Sequence, residues 1–204
     1  AAIEACQKLG VAEQTKTQAD NEKTAANAAL KAESLRVFKE YGDRINHYLQ
    51  HFNVDFRIAR TSVSFTGGQP SGEIVLELLG HEIKTTASEA NDPSKPSLLN
   101  TLSSGDKSTL ALAYFFSVLD SEPDKTGSVV VLDDPFHRQD RSRRTRTIEC
   151  IHEAANLFGQ TFVLSHDLEF ARSVQRAHVH PIRTFAFVHQ TTSILKSTDL
   201  PALA

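Results

Sequence analysis

Two neighbouring carboxylates, Asp133 and Asp134, follow the apolar run at residues 129–132 and precede Pro135. A continuous apolar run of this length predicts a buried strand. Acids directly after it stand at the carboxyl edge of a parallel sheet, where α/β proteins bind ligands. Asp133 offers the hard oxygen donors that suit Mg²⁺, and Asp134 could polarise an attacking water molecule. The alternative is a plain turn, because Asp-Pro sequences begin turns readily.

A second polar group ends another short apolar run. Ser165, His166 and Asp167 follow residues 161–164, which we interpret as a second buried strand. At the end of that strand His166 could hydrogen-bond a terminal phosphate and respond to its loss. A single histidine is more often structural, so the alternative is a side chain that takes no part in chemistry.

Small residues precede a predicted helix at residues 102–106, which read LSSGD. Ser104 and Gly105 would let the backbone approach an anion, and a helix N-terminus presents unpaired N–H groups and the positive end of the helix dipole. Ser103 could add a hydroxyl donor to that anion site. The alternative is an ordinary helix cap, because Ser and Asp favour helix starts in any case.

A downstream carboxylate, Asp140, lies among five arginines that fall within nine residues near a predicted helix start. Cations at that end of a helix oppose its dipole, so the pattern indicates anionic neighbours. These could be Asp133 and Asp134, a nucleotide or a partner surface, and the alternative is a solvated charged face. The arginines are Arg138, Arg141, Arg143, Arg144 and Arg146.

The elements that must position these residues begin with a helix. Residues 1–34 are rich in Ala, Gln, Thr, Lys and Glu and predict an exposed helix with a thin apolar seam. The seam then strengthens at steps of three and four, as expected for the root of a coiled-coil arm entering a globular head. The alternative is one long amphipathic helix. The strengthened seam consists of Leu35, Phe38, Tyr41, Ile45, Tyr48 and Phe52.

Alternating apolar residues from Val54 to Lys84 predict a small antiparallel strand set, followed by a polar loop at residues 87–97. Beyond it, helices alternate with apolar strands, which predicts an α/β fold with a largely parallel sheet. The predicted helices span residues 106–119, 141–158 (stopped by Gly159) and 167–174, and the predicted strands span residues 128–132, 161–164, 184–188 and 193–196.

Composition excludes several classes of protein. The chain has 204 residues, 40% of them hydrophobic, and a net charge of −3, so nothing global demands a nucleic acid or an acidic membrane. Cys6 and Cys150 lack metal-ligand spacing and fit a reducing compartment better than a disulfide scaffold. No apolar stretch reaches about 18 residues. We therefore expect a cytoplasmic protein without a membrane span.

The order of the motifs is more specific than any one of them. LSSGD, an apolar run with DDP, a downstream Asp140 and an apolar run with SHD resemble the C-terminal lobe of an ABC ATPase head over residues 98–175. In that family they are the signature motif, Walker B, the D-loop and the switch histidine. The flanking elements resemble the branch with SMC proteins, RecN and RecF. TLSSGDKSTLALAYFF with VVVLDDPF is most similar to the coiled-coil ATPases related to the anticodon nucleases RloC and PrrC.

The resemblance divides the residues into two groups. In the first, Asp133 would coordinate Mg²⁺, Asp134 would orient or deprotonate the lytic water, and His166 would read the γ-phosphate of ATP. The chain departs from the family at three places: Asp134 stands where many relatives have Glu, Ser104 where transporters have Gly, and residues 137–139 where small-small-Leu is commoner. The second group would act in trans, on ATP bound to the opposite subunit, and consists of Ser103, Ser104, Gly105 and Asp140.

The phosphate-binding loop G-x-x-x-x-G-K-[ST] is missing from the chain, and residues 105–108, which read GDKS, are a near miss. In the resembled family this Walker A loop lies in an N-terminal lobe beyond the coiled coil. We therefore expect a C-terminal fragment that is inactive alone and is completed by that lobe. Residues 1–52 would form the returning coiled-coil arm and head-entry helix, and residues 53–204 the C-terminal lobe.

The function implied is ATP hydrolysis with Mg²⁺ in a homodimer of heads that closes on ATP. The head would drive a coiled-coil protein that acts either in phage defence, by controlling an RNase or another nuclease, or in DNA repair. A nucleic acid or an attached nuclease is a possible partner. Two alternatives stay open: a scaffold that does not hydrolyse ATP, and a metal-dependent nuclease that uses Asp133 and Asp134 with His166 or His137. The pair His178 and His180 could bind a metal, but two such histidines without further ligands are more often surface residues.

Overall fold

The fold is known from a computed structural model that describes residues 2–64, 71–84, 96–136, 139–177, 182–189 and 193–197. It begins with one helix, α1 (Ala2–His51). Its residues 7–33 are exposed almost throughout, as predicted from their polar composition. Ion pairs of Arg36 with Glu33 and Glu40, and of Arg44 with Glu40, support the helix on its solvated side.

The chain forms two compact units, Ala1–Arg44 with Phe56–Leu98, and Ile45–Asp55 with Leu99–Ala204. The predicted division into residues 1–52 and 53–204 remains a prediction. The first unit contains the predicted antiparallel set as a three-stranded meander of β1 (Phe56–Ser64), β2 (Ser71–Leu78) and β3 (His81–Lys84). Its register pairs Phe56 with Leu78 and Leu76 with Ile83, and it slips by one residue between Ile58 and Arg60. Most of the predicted loop at residues 87–97 lies outside the described residues.

The second unit carries every motif identified above. Its first long helix, α3, begins two residues earlier than predicted because Ser103 rather than a later residue caps it. The elements of this unit, after the last turns of α1, are α2 (Leu98–Thr101), α3 (Ser104–Asp120), β4 (Val129–Asp133), α4 (Arg141–Leu157), β5 (Gln160–Leu164), α5 (Leu168–Ala177), β6 (Phe185–His189) and β7 (Ser193–Ser197).

The strands β4 and β5 pair in parallel, with Val131 opposite Phe162 and Asp133 opposite Leu164. They are the one parallel pair among the described residues, while β6 and β7 pair antiparallel. Both strands of the parallel pair were predicted to be buried, which is wrong for one face of β4 and for β5, whose residues are exposed or half-buried. Val130 and Leu132 are buried, whereas Val129 and Val131 are 56% and 55% exposed. An apolar run indicates that a strand is to be covered by other elements, but it does not show which segment supplies them.

The last turns of α1 belong to the core of the second unit. Tyr48 and Phe52 pack on Phe116 of α3, with ring centroids 5.6 and 6.4 Å apart, and Ile45 is also buried. The predicted seam fails at Leu35, which is 39% exposed, because three-and-four spacing defines a face without saying where packing begins. Within the described residues, no helix has the length and apolar character that crossing a bilayer requires.

Candidate functional site

Asp134 and His166 meet at the carboxyl ends of β4 and β5. The two strands run in parallel and in register, so the residues directly after them become neighbours. The Asp134 N–H donates to the Leu164 carbonyl at 3.0 Å, which closes the end of the sheet. The Asp134 carboxylate in turn accepts the His166 N–H at 3.3 Å and contacts the ring Nδ1 at 2.6 Å. The sequence predicted both residues, and the structure brings them together.

The proton of this contact can be placed. A carboxylate can only accept, so Nδ1 of His166 carries the hydrogen, and Nε2 remains as the second polar atom of the ring. The imidazole is 74% exposed and Asp134 is 34% exposed, so a ligand can reach both. Asp134 has φ of 43°, a left-handed conformation in which Asp is among the few tolerated residues. Such backbone strain clusters at functional sites.

Asp133 is an exposed carboxylate on the uncovered face of the β4–β5 pair. Alternation along a strand places it on the side of Val129 and Val131, and its partner in register is the exposed Leu164. Among the described residues it makes no hydrogen bond or ion pair. An unpaired carboxylate beside a second one has the donor chemistry that Mg²⁺ accepts, since that ion keeps several waters and takes few protein ligands.

The start of α3 is organised by a capping box. Ser103 is the N-cap: its Oγ accepts the Asp106 N–H at 3.1 Å, and its own N–H donates to Asp106 Oδ2 at 3.2 Å. The Ser103 hydroxyl also donates to Oδ2 at 2.6 Å. The alternative interpretation, that Ser103 caps the helix, therefore describes its local structure correctly. Ser104 is exposed and Gly105 is buried.

Asp140 plays the corresponding part for α4. Its Oδ1 accepts the Arg143 N–H at 2.9 Å, which makes it the N-cap of that helix. The residue before it, Gln139, is buried and accepts a 2.9 Å hydrogen bond from the Thr147 hydroxyl. His137 and Arg138, which precede them, lie outside the described residues, as do His178 and His180.

Two adjacent arginines of α4, Arg143 and Arg144, pair with carboxylates other than Asp133 and Asp134. The expected partners Asp133 and Asp134 are not bonded to either arginine. Instead, Arg143 Nη1 lies 2.9 Å from Asp106 Oδ1, and its Nε lies 3.4 Å from Asp140 Oδ2. Sequence reasoning missed this link. The available signal was the cation in the first turn of a helix, which needs a counter-charge from elsewhere.

Arg144 contacts two residues that lie near His166. Its Nη1 lies 3.1 Å from Asp167 Oδ2, and its guanidinium lies 5.2 Å from the centre of the Phe136 ring. That ring is 6.5 Å from His166 and 3.9 Å from Phe170. The N–H groups of Phe170 and Glu169, together with Arg144, hold the pKa of Asp167 below its ordinary value of 3.8.

Of the two other arginines of this cluster that the structure describes, one forms an ion pair and one is exposed to solvent. Arg146 pairs with Glu149 at 3.1 Å within α4, and Arg141 is exposed. Among the described residues there is no cluster of three His, Cys, Asp or Glu side chains that could hold a metal ion without a further ligand. The site thus consists of two groups of side chains, Asp133–Asp134–His166 and Ser103–Asp106–Asp140. Arg143 of α4 pairs with the second group, and Arg144 of α4 pairs with Asp167, the residue after His166.

Comparison with known proteins gives structural neighbours only. No protein-family model and no curated protein sequence matches the chain. A structure described as structural biochemistry of ATP-driven dimerization and DNA-stimulated activation of SMC ATPases is similar, with a TM-score of 0.53 and 17% identity over 83% of this chain and 90% of that chain. The Smc head domain with a coiled coil and joint from Pyrococcus yayanosii has a TM-score of 0.55 and 13% identity over 81% of this chain.

A third neighbour is the Smc head bound to the C-winged-helix domain of ScpA, with a TM-score of 0.53 and 16% identity over 81% of this chain. This chain spans 44% of that structure's chain and 28% of the Pyrococcus yayanosii one. At these identities the likeness shows the fold alone. The predicted fold class is confirmed: a mixed α/β fold similar to that of SMC head domains, with a long N-terminal helix, a small antiparallel sheet and a parallel strand pair.

Proposed function

We propose that this chain is the C-terminal part of an ABC-type head that binds and hydrolyses ATP, dimerises on ATP and drives a coiled-coil protein. The observation that carries the proposal is the Asp134–His166 contact at the ends of two parallel strands, with Nδ1 and Oδ2 2.6 Å apart. It joins the two motifs of the predicted hydrolytic centre, which lie 32 residues apart in sequence. A turn and an unrelated structural histidine would not need to meet.

The chemistry of the first group follows from its hydrogen bonds. When bound, Mg²⁺ and ATP supply the scissile bond and the charge that offsets the developing negative charge. Asp133, exposed and unpaired among the described residues, would hold the ion through one or two oxygens. Asp134 contacts the His166 ring through Oδ2 and accepts the His166 N–H at Oδ1, so the second lone pair of Oδ1 would orient the lytic water. To donate to the γ-phosphate, Nε2 of His166 would also have to carry a hydrogen, as it does in the imidazolium form.

The second group would act on the nucleotide of the opposite head. Ser103 and Asp140 are each the N-cap of a helix, so their side chains sit where backbone N–H groups and the helix dipole favour an anion. Ser104 is exposed at the first position of α3, and Gly105 leaves room beside it. The Ser103 hydroxyl donates to Asp106 Oδ2 in this structure, so it would turn toward the phosphate on binding, whereas the first backbone N–H groups of α3 would need little reorganisation.

The uncovered face of β4 and β5 supports the proposed N-terminal lobe as a partner. Parallel strands are normally covered on both faces, and this face exposes four apolar side chains in two adjacent rows. Asp133 closes one of the rows, so a lobe seated here would bring its Walker A loop beside the proposed metal ligand. The four side chains are Val129, Val131, Phe162 and Leu164.

We further propose a cytoplasmic role in phage defence, in which the heads control an attached nuclease. The run at residues 101–116 and the DDPF that follows β4 carry the resemblance to the ATPases related to RloC and PrrC. DNA repair or chromosome organisation is the second candidate. It draws on the SMC-like fold, since one similar structure is described by DNA-stimulated activation of SMC ATPases.

The test is ATP hydrolysis by the full-length protein with and without Asp134→Asn. Asn tolerates a positive φ and can still accept from His166, so the fold should persist while turnover falls by on the order of 100-fold or more. Asp43→Asn, an exposed carboxylate on α1, is the matched control and should leave turnover unchanged. Wild-type turnover in the Asp134→Asn protein would refute the proposed hydrolytic centre.

A further inference from the structure

Arg143 lies between carboxylates from two helix starts. Its Nη1 is 2.9 Å from Asp106 Oδ1, and its Nε is 3.4 Å from Asp140 Oδ2. The Arg143 and Asp106 side chains are 18% and 24% exposed, so water screens this pair less than an ordinary surface pair. One guanidinium therefore ties the capping box of α3 to the N-cap of α4.

The Asp106 carboxylate divides its two oxygens between different tasks. Oδ2 accepts both the N–H and the hydroxyl of Ser103, and Oδ1 faces Arg143. The direction of the Ser103 hydroxyl therefore depends on where the Asp106 carboxylate is held. Since Arg143 holds that carboxylate from its other side, the guanidinium acts on Ser103 through one intervening residue.

The position of Arg143 is unfavourable for α4 itself. It is the third residue of the helix, where a cation opposes the dipole and an acid would be favoured. On the same helix, Arg146 forms an ordinary exposed pair with Glu149 one turn along. The placement of Arg143 is therefore explained by the two carboxylates it joins rather than by the stability of α4.

We infer that Arg143 is a positioning residue that presents Ser103 and Asp140 together to the nucleotide of the opposite head. The inference rests on the proposed function, because it assigns a regulator to the trans-acting half of that site. Without the guanidinium, Asp106 loses its second partner, the Ser103 hydroxyl loses its fixed direction and Asp140 moves independently of α3. A misplaced donor at a reacting phosphate costs on the order of 10-fold to 100-fold in rate.

The first experiment compares Arg143→Gln with Arg146→Gln in the full-length protein. Arg143→Gln should lower ATP turnover on the order of 10-fold, and Arg146→Gln should leave it unchanged. Arg143→Lys keeps the charge but cannot present a planar fork to two carboxylates, so its turnover should fall between the two. It also carries the test if Arg143→Gln fails to fold. Wild-type turnover in both Arg143 variants would overturn the inference.

The second experiment asks in which half of the site Arg143 acts. Asp134→Asn and Arg143→Gln chains are co-expressed with different tags, and mixed dimers are isolated. If Arg143 serves the opposite head, each mixed dimer regains one intact site, which joins Asp134 of one chain to Ser103 of the other. Turnover should then exceed that of either parent dimer. If Arg143 serves its own head, the mixed dimer stays as inactive as its parents, and the inference fails.

A control dimer separates this failure from failure of the proposed function. Asp134→Asn mixed with Ser103→Arg must regain activity if the sites are shared between heads. Recovery in the Ser103 mixture without recovery in the Arg143 mixture overturns the role of Arg143 alone. No recovery in either mixture overturns the shared site, and the inference with it. Recovery in both mixtures to within about twofold of each other supports the assignment.

Discussion

The hydroxyl of Tyr48 donates a 3.0 Å hydrogen bond to Oδ1 of Asp120 and so joins the last turns of α1 to the last residue of α3. The opposite end of α3 is capped by Ser103, and a helix of this length spans about 25 Å. The Tyr48 ring also packs on Phe116 from the middle of α3. One helix, α3, therefore connects the capping box at Ser103 with the last turns of α1.

The Tyr48 hydrogen bond should contribute measurably to stability. Burial, followed by the Asp120 carboxylate, raises the pKa of Tyr48 above its ordinary value of 10.0, so the hydroxyl stays a donor at neutral pH. Tyr48→Phe keeps the ring packing and should lower the free energy of unfolding by about 1–2 kcal/mol in urea titrations. Tyr114→Phe, on the exposed side of α3, should change it by less than about 0.5 kcal/mol. Equal losses would show that the bond contributes nothing.

The exposed face of the parallel pair gives a prediction about association. Val131→Glu replaces a side chain that is 55% exposed, so the melting temperature of this chain should change little. Binding of the N-terminal lobe should weaken on the order of 10-fold or more, since a charge would be buried in the contact. Leu157→Glu, at an equally open position ending α4, is the control for titration calorimetry. Unchanged affinity for Val131→Glu would place the lobe on another surface.

Gly159 is required by a close approach of backbone. A Cβ there would collide with the carbonyl oxygen of Thr126, and backbone atoms cannot move aside as a flexible side chain can. Gly159→Ala should therefore lower the free energy of unfolding by about 1–3 kcal/mol. Gly10→Ala meets nothing within 4 Å on the exposed helix, and it should raise stability by up to about 1 kcal/mol. A neutral Gly159→Ala would contradict this packing.

Asp167 should make stability depend on pH in the acid range. Its pKa is lowered by the Phe170 and Glu169 N–H groups and by Arg144, so its contribution is present above the ordinary value of 3.8. The contribution is lost as the pH falls through the lower pKa of the folded state. Asp167→Ala should cost about 1 kcal/mol at pH 7, and the difference from wild type should shrink steadily below pH 3.8. A difference that stays constant with pH would exclude this cause.

Local signals in the sequence were sufficient for the elements and for one half of the site. The apolar run before Asp133 and the one before Ser165 predicted two strands, and in a parallel pair their ends must be neighbours. That geometry alone brings His166 to Asp134. The predicted helix start at Arg141 agrees with the structure, and the alternative of Ser103 as a helix cap was also available, although the predicted helix began two residues later than α3 does.

Contacts between helices were beyond the sequence. The Arg143–Asp106 and Arg144–Asp167 pairs depend on how α4 is rotated against α3 and α5, and no spacing along one helix encodes that angle. Of the anionic neighbours proposed from charge (Asp133 and Asp134, a nucleotide or a partner surface), Asp133 and Asp134 do not pair with Arg143 or Arg144. Exposure of Phe162 was missed too, since β5 has the composition of a strand covered on both faces.

The left-handed backbone at Asp134 also limits which residues can replace it. At φ of 43° the favoured residues are Gly, Asn and Asp, whose short side chains add little crowding. Glu preserves the charge, but its extra methylene would carry the carboxylate past the 2.6 Å contact with His166. In this chain, exchange of Asp134 for Glu is therefore expected to move the carboxylate away from His166, although the charge is kept. Backbone angle, side-chain length and histidine position at this site are therefore coupled in this chain.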